Sequence, residues 1–366
     1  MIEALLLAFT LAGVLDIALK VFVFLALLSA LVVFHEFGHF VFAKMAGVTV
    51  TDFAVGFGPS IVAVRRGDTT YRLNLLPLGG YCKMVGEDTA DDGSADPGNF
   101  QRKSIGARLA IIAAGPLFNL VLAVIIFASL AAISGIATGA TNVVDSVKTD
   151  SPAARAGLQP GDVISVLDGA PVRSGDEMVS YIHAHPGKTM TVEVLRAGKP
   201  VQLVIRAEPV DVDGQKMGQF GFVPKPAMEH KGALDDIGFG FSMVGKVVAL
   251  NLAGVGEAIR NHDSSVIHGP VGIGRIVAAA EDLGVLVVLS LAAQLSTMLG
   301  VINLFPFPAL DGGRLVFILV ELIRGKPVDP EKEGLVHLTG FALLMMLIVF
   351  VTYHDILAWV QGKGVL

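Results

Sequence analysis

The chain has 366 residues, of which 53% are hydrophobic and only 16% charged. Such a composition excludes an ordinary soluble globular protein and points to several membrane spans. A formal net charge of -6 gives no basic footprint, which argues against a nucleic-acid partner, and the one cysteine, Cys82, cannot form an internal disulfide.

In chain order, the first twenty residues carry no basic n-region and no small-residue cleavage site, so they read as mature sequence lying on or partly in the membrane. Segments at about 21–43, 109–133, 285–305 and 335–360 have the apolar length of a spanning helix, about 20 residues. Between the first two, "DTTYRLNLLPLGGYCKMV" alternates and predicts a hairpin over about 68–85 that turns at Pro77–Gly80. The acidic, Gly- and Pro-containing stretch 87–99 reads as a loop. Residues 134–228 hold short alternating strands such as "VISVLDG" and "MTVEVLR", separated by Gly, Pro and Asp turns, and form an inserted β-rich domain. The glycine-rich, apolar segment 229–284 reads as an interfacial amphipathic region. The expected fold class is an α-helical polytopic membrane protein with about four transmembrane helices, its first half at 1–133 and its second at 285–366.

Basic residues set the orientation. The loop at 44–108 holds Lys44, Arg65, Arg66, Arg72, Lys83, Arg102, Lys103 and Arg108, and the connection after the third span holds Arg314, Arg324, Lys326 and Lys332. Two spans separate these loops, so both face the cytoplasm, and the β-rich domain and both termini face outward.

The chemistry begins inside the first span. In "LVVFHEFGHFVFAK" (31–44), His35 and His39 are four apart and project from one helix face, so both imidazoles can reach one metal ion, with Glu36 beside them. Titratable groups in a span are costly and mark function. The spacing is that of zinc proteases, in which three protein ligands hold the ion and a carboxylate takes the proton of water. Glu36 suits the proton transfer. The best candidate for a third ligand is Asp311, which follows the third span at matching depth, with Pro306 and Pro308 breaking the helix before it.

These residues resemble the site-2 protease family of intramembrane zinc metalloproteases, in particular its regulator of sigma-E protease branch. The family's H-E-x-x-H matches His35, Glu36 and His39, and its N-x-x-P-x-x-x-L-D-G matches Asn303, Pro306, Leu310, Asp311 and Gly312. The likeness extends to "NLLPLGGYCKMVGE" (74–87), "AAGPLFNLVLA" (113–123) and "GPVGIGRI" (269–276), and covers most of the chain.

The resemblance implies one zinc ion held by His35, His39 and Asp311, with Glu36 as the catalytic base and Asn303 on the substrate's backbone. It further implies that Pro77, Gly79, Gly80 and Tyr81 belong to a membrane-dipping hairpin that pairs with substrate as an added strand. The expected substrate is a single-pass membrane protein already cut by another protease, such as an anti-sigma factor or a signal-peptide remnant. The expected location is the inner membrane, with the active site toward the cytoplasm and the β-rich domain in the periplasm.

"SPAARAGLQPGDVISVLDGAPV" (151–172) resembles a PDZ domain, a module that takes peptide ends. One copy stands where well-known members of the branch have two. A catalytically silent scaffold would tolerate loss of Glu36, and a zinc transporter would show several metal sites along a path. This sequence keeps Glu36 and shows one site.

Overall fold

The computed structural model describes residues 2–87, 96–212, 215–261 and 269–361. Helix α1 spans Ile2–Met45 and is followed by strands β1 (Val50–Arg66) and β2 (Thr69–Met84), then helix α2 (Ile105–Ser134). Next come β3 (Ile136–Val147), α3 (Pro152–Arg155), β4 (Val163–Leu167), β5 (Ala170–Pro171), α4 (Gly175–Ala184), β6 (Thr189–Arg196), β7 (Lys199–Arg206), β8 (Glu208–Val212), β9 (Gln215–Gln219) and β10 (Phe222–Glu229). Helices α5 (Ala233–Asn261), α6 (Pro270–Leu283), α7 (Val285–Leu304), α8 (Asp311–Arg324) and α9 (Pro330–Val360) complete the chain. The chain divides into two compact units, Ala131–Ala233 and the remainder.

The larger unit is helical because its sequence is. Its long runs are almost free of charge, and a helix satisfies every internal backbone group by itself. Among the described residues, 5 helices are long and apolar enough to cross a membrane: Gly13–Met45, Ile105–Ser134, Ala233–Gly254, Val285–Leu304 and Glu331–Val360. The protein is a polytopic α-helical membrane protein with a β-rich insert. The third of these helices is the least apolar, with mean hydropathy 1.4 against 2.2 to 2.7 for the others, and lies in the segment the sequence assigns to an interfacial region. The acidic stretch at 88–95 lies outside the described residues.

The hairpin differs from the sequence expectation. Its turn is at Gly67 and Asp68, between β1 and β2, and Pro77–Gly80 lie within β2. Gly67 takes the left-handed φ of +59° that a tight hairpin turn requires. Both strands break register, so that Asp52, Phe53, Ala54 and Val55 each pair twice, with Thr70–Leu73 and with Gly80–Lys83. The ladder therefore folds into four short segments, with Val50–Val55 inside and Gly80–Met84 along one edge.

Two apolar clusters tie this unit together. Ala43, Val48, Val50, Met84, Ile111, Ile112 and Ile318 join the end of α1, the sheet, the start of α2 and α8. Phe127 and Ala123 of α2 pack with Val244 and Val247 of α5 and Ala293 of α7. Arg108 of α2, 5% exposed, donates Nη2 to Glu321 Oε1 at 2.5 Å and Nη1 to Glu321 Oε2 at 3.0 Å, which fixes α8 against α2.

In the smaller unit the sheet runs β10-β3-β4-β6-β7, with β5 paired to β4. Val144, Ile164, Met178, Ile182, Met190, Val192, Val194, Ile205 and Phe220 form its core. Asp168 and Gly169, with φ of 55° and 84°, make the two-residue turn between β4 and β5. On β10 the carbonyls of Lys225 and Ala227 accept from the hydroxyls of Thr141 and Thr138 on β3, and the carbonyl of Gly221, just before the strand, accepts from Lys148 N–H. The alternate positions, Pro224 and Pro226 among them, face the open side of this end strand.

Candidate metal centre

The site is built from the C-terminal half of α1, the N-terminal half of α2 and the start of α8. Helical spacing brings His35 and His39 to one face of α1, with Nε2 atoms 3.2 Å apart. Asp311, the first residue of α8, places Oδ2 2.9 Å from His35 Nε2 and 3.4 Å from His39 Nε2. Both histidines are buried.

Hydrogen bonds on the far side of each ring decide which nitrogen is free. His39 Nδ1 lies 2.8 Å from the carbonyl oxygen of Ile111, so Nδ1–H donates there and Nε2 keeps its lone pair. Pro116, inside α2, lacks an N–H, so the carbonyl of Ile112, next to this contact, has no helical donor from that position. His35 Nδ1 lies 3.3 Å from the side-chain amide of Asn119, which is fully buried. A half-turn exchanges the amide's two ends, and its oxygen end suits a ring that carries its proton on Nδ1 and offers Nε2 elsewhere. The residues missed from the sequence are therefore Asn119 and the Ile111 carbonyl.

With the Asn119 amide turned that way, three acceptors face one another. Asp311 Oδ2 is buried without a hydrogen-bond donor. Ligand atoms of His35, His39 and Asp311 all lie within 4.8 Å of one another. Tetrahedral zinc with bonds of about 2.0 to 2.1 Å separates its ligand atoms by roughly 3.3 Å, and the three separations bracket that value. Space is reserved for the ion as well. A Cβ on Gly115 of α2 would lie 2.8 Å from His35 Nε2 and closer still to His39 Nε2, so only glycine leaves the imidazole edges clear. The donor set and the geometry fit one zinc ion.

Glu36, half-buried, accepts a hydrogen bond from the backbone N–H of Cys82 at 2.9 Å. This brings the Gly80–Met84 edge of the sheet to the carboxylate. Ser29 of α1 holds the same strand further up: its hydroxyl donates to the carbonyl of Pro77 and accepts from Gly79 N–H at 3.2 Å. Gly80 pairs with Val55, and Tyr81 pairs with Ala54 and stacks on Phe57 at 5.9 Å between ring centroids. Asn303 sits half-buried in the last turn of α7, and its side chain has no hydrogen-bond partner among the described residues.

A zinc-fitting His-His-Asp cluster and a carboxylate, set among apolar helices, define a membrane-embedded metallopeptidase. The chain belongs to peptidase family M50, whose model matches residues 23–347. It is 31% identical to the regulator of sigma-W protease RasP of Bacillus subtilis, covering 92% of this chain and 98% of the relative. It is 35% identical to a putative zinc metalloprotease of Rhizobium meliloti, over 93% and 96% of the two chains. The protein is thus a zinc metalloprotease of the site-2 type. Among solved structures, the PDZ domain of an SdrC-like protein from Listeria monocytogenes matches 24% of this chain and 90% of its own, at 32% identity and a TM-score of 0.21.

Proposed function

We propose that His35, His39 and Asp311 hold one zinc ion and that Glu36 is the general base for hydrolysis of a peptide bond in or near a transmembrane helix. The observation that carries this reading is the triangle of His35 Nε2, His39 Nε2 and Asp311 Oδ2, 2.9, 3.2 and 3.4 Å on its sides. Zinc at such a site polarises the scissile carbonyl and makes water acidic enough to react near neutral pH. Glu36 takes the proton as the water oxygen attacks the carbonyl carbon, then gives it to the amine as the C–N bond breaks. Asn119 and the Ile111 carbonyl keep both imidazoles turned toward the ion.

A helical substrate protects its own carbonyls, so the peptide must be opened before it is cut. The Gly80–Met84 edge supports a role in this step, because strand pairing there would lay an extended peptide beside Glu36. Pro77, Gly79, Gly80 and Tyr81 shape that edge. Asn303, unpartnered at the end of α7, offers its amide to the same peptide.

The active site lies toward the cytoplasm of the inner membrane, with the β-rich unit and both termini outward. Contacts in the helical unit favour four crossings. Lys20 and Phe24, well before His35 on α1, meet Asp282 and Gly274 of α6, so α6 stays at the end of the bundle remote from the metal ligands. The chain then leaves α2 and enters α7 at the same end, where α6 lies at the interface. The β-rich unit acts as a PDZ module that takes peptide ends of a pre-cut single-pass substrate. The name of the Bacillus subtilis relative, regulator of sigma-W protease, supports a role in sigma-factor regulation, with an anti-sigma factor as the substrate class.

The test is cleavage of a pre-trimmed single-pass substrate by the purified protein in detergent, beside Glu36→Gln, with zinc content measured for both. Cutting by the wild type alone, with zinc in both, is the expected result. Equal cutting by the variant removes Glu36 from the mechanism.

A further inference from the structure

Six residues, 305–310, carry the chain from α7 to α8 and deliver Asp311. Their backbone donors can be accounted for one by one. Phe305 N–H donates to Ile302 O at 3.0 Å, Phe307 N–H to Phe305 O at 2.7 Å and Leu310 N–H to Phe307 O at 3.2 Å. Pro306 and Pro308 have none. The remaining donor is Ala309 N–H, and it goes to a side chain: Nδ1 of His337 on α9, at 2.9 Å.

Ala309 needs that hold. Its φ is +78°, in the left-handed region that residues with a Cβ seldom adopt unless their surroundings impose it. Asp311 follows two residues later, so a change of rotation at Ala309 swings the carboxylate away from the imidazoles. By accepting at Nδ1, the His337 ring carries its proton on Nε2, which points toward Glu333 Oε1 at 4.0 Å. The ring also packs on Phe317 of α8, with centroids 5.4 Å apart. One turn further along α9, a Cβ on Gly340 would lie 2.6 Å from Pro308 O, so the helix backbone rests directly on the turn.

We propose that His337 is a positioning residue for the third metal ligand. Its Nδ1 lone pair locks Ala309 in the left-handed conformation that sets Asp311 against His35 and His39. The inference rests on the reading of these three residues as zinc ligands.

The experiment is zinc loss from the full-length protein in detergent to a competing chelator, for wild type, His337→Leu, His337→Asn, the double variant Ala309→Gly with His337→Leu, and Asp311→Asn. Outer groups that orient metal ligands typically change affinity by about 10- to 100-fold, so His337→Leu should lose zinc at least about tenfold more readily. His337→Asn, whose side-chain oxygen can accept the same N–H, should stay within about threefold of wild type. Ala309→Gly should restore retention to His337→Leu, because glycine takes positive φ without help. A merely structural histidine would not be rescued by glycine on another element. Wild-type retention in His337→Leu, or no rescue by Ala309→Gly, overturns the proposal. Retention in Asp311→Asn equal to wild type instead overturns the ligand reading and the proposal with it.

Discussion

The backbone N–H of Cys82 donates to Oε2 of Glu36 across 2.9 Å, so a strand edge, and no side chain among the described residues, holds the carboxylate beside His35, His39 and Asp311. The thiol has no part in this contact. Cys82→Ala should therefore cut substrate within about twofold of wild type. Cys82→Pro deletes the N–H, and losing a hydrogen bond to a charged group, worth about 1.5 to 3 kcal/mol, should slow cleavage by roughly ten- to a hundredfold. Rates measured alongside zinc content check this, since zinc should stay at wild-type level in both variants.

Gly115 is the floor of the metal cavity. Gly115→Ala places a methyl group 2.8 Å from His35 Nε2 and must push the ring aside. Zinc content after purification should fall by at least about tenfold, in line with the effect of disturbing ligand orientation. Helix content by circular dichroism should be unchanged, because alanine favours a helix over glycine.

The β-rich unit has its own electrostatic anchor. Asp162, with a side chain 1% exposed, accepts from Arg196 Nε and Nη2, both at 2.8 Å, and from Gln159 N–H at 2.9 Å. The Arg196 guanidinium holds the Asp162 carboxyl below the usual carboxylate range. A depressed folded-state pKa stabilises the unit fully above the unfolded value, about 3.9, and that stabilisation is lost as pH falls toward the folded value. Asp162→Asn should cost about 2 kcal/mol at pH 7. The gap between wild type and variant should narrow below about pH 4. Hydrogen exchange of amides in residues 131–233 of the full-length protein measures both effects.

The cluster of His35, His39 and Asp311 is legible in the sequence because residue type and spacing carry its chemistry: His35 and His39 share a helix face, and Asp311 follows a proline-broken span. The contacts that orient them were not. His35 meets Asn119 across 84 residues, and His39 and Glu36 rest on main-chain atoms of Ile111 and Cys82, which any residue type would present. The hairpin was placed one strand late. "RRGDTT" has a tight Gly-Asp turn, but "PLGG" has the stronger turn composition, and the repeated register breaks absorb it within β2. Helix α1 begins well before the expected residue 21 because its apolar run has no helix breaker to stop it.

Pro224 and Pro226 leave the open side of β10 able to accept hydrogen bonds but largely unable to donate them. An arriving strand would find carbonyls at every alternate residue and amides only at Phe222 and Met228. Two of the four donors on this side are missing, so neighbouring copies of the protein, crowded in the plane of one membrane, find in this edge a poor template for sheet growth.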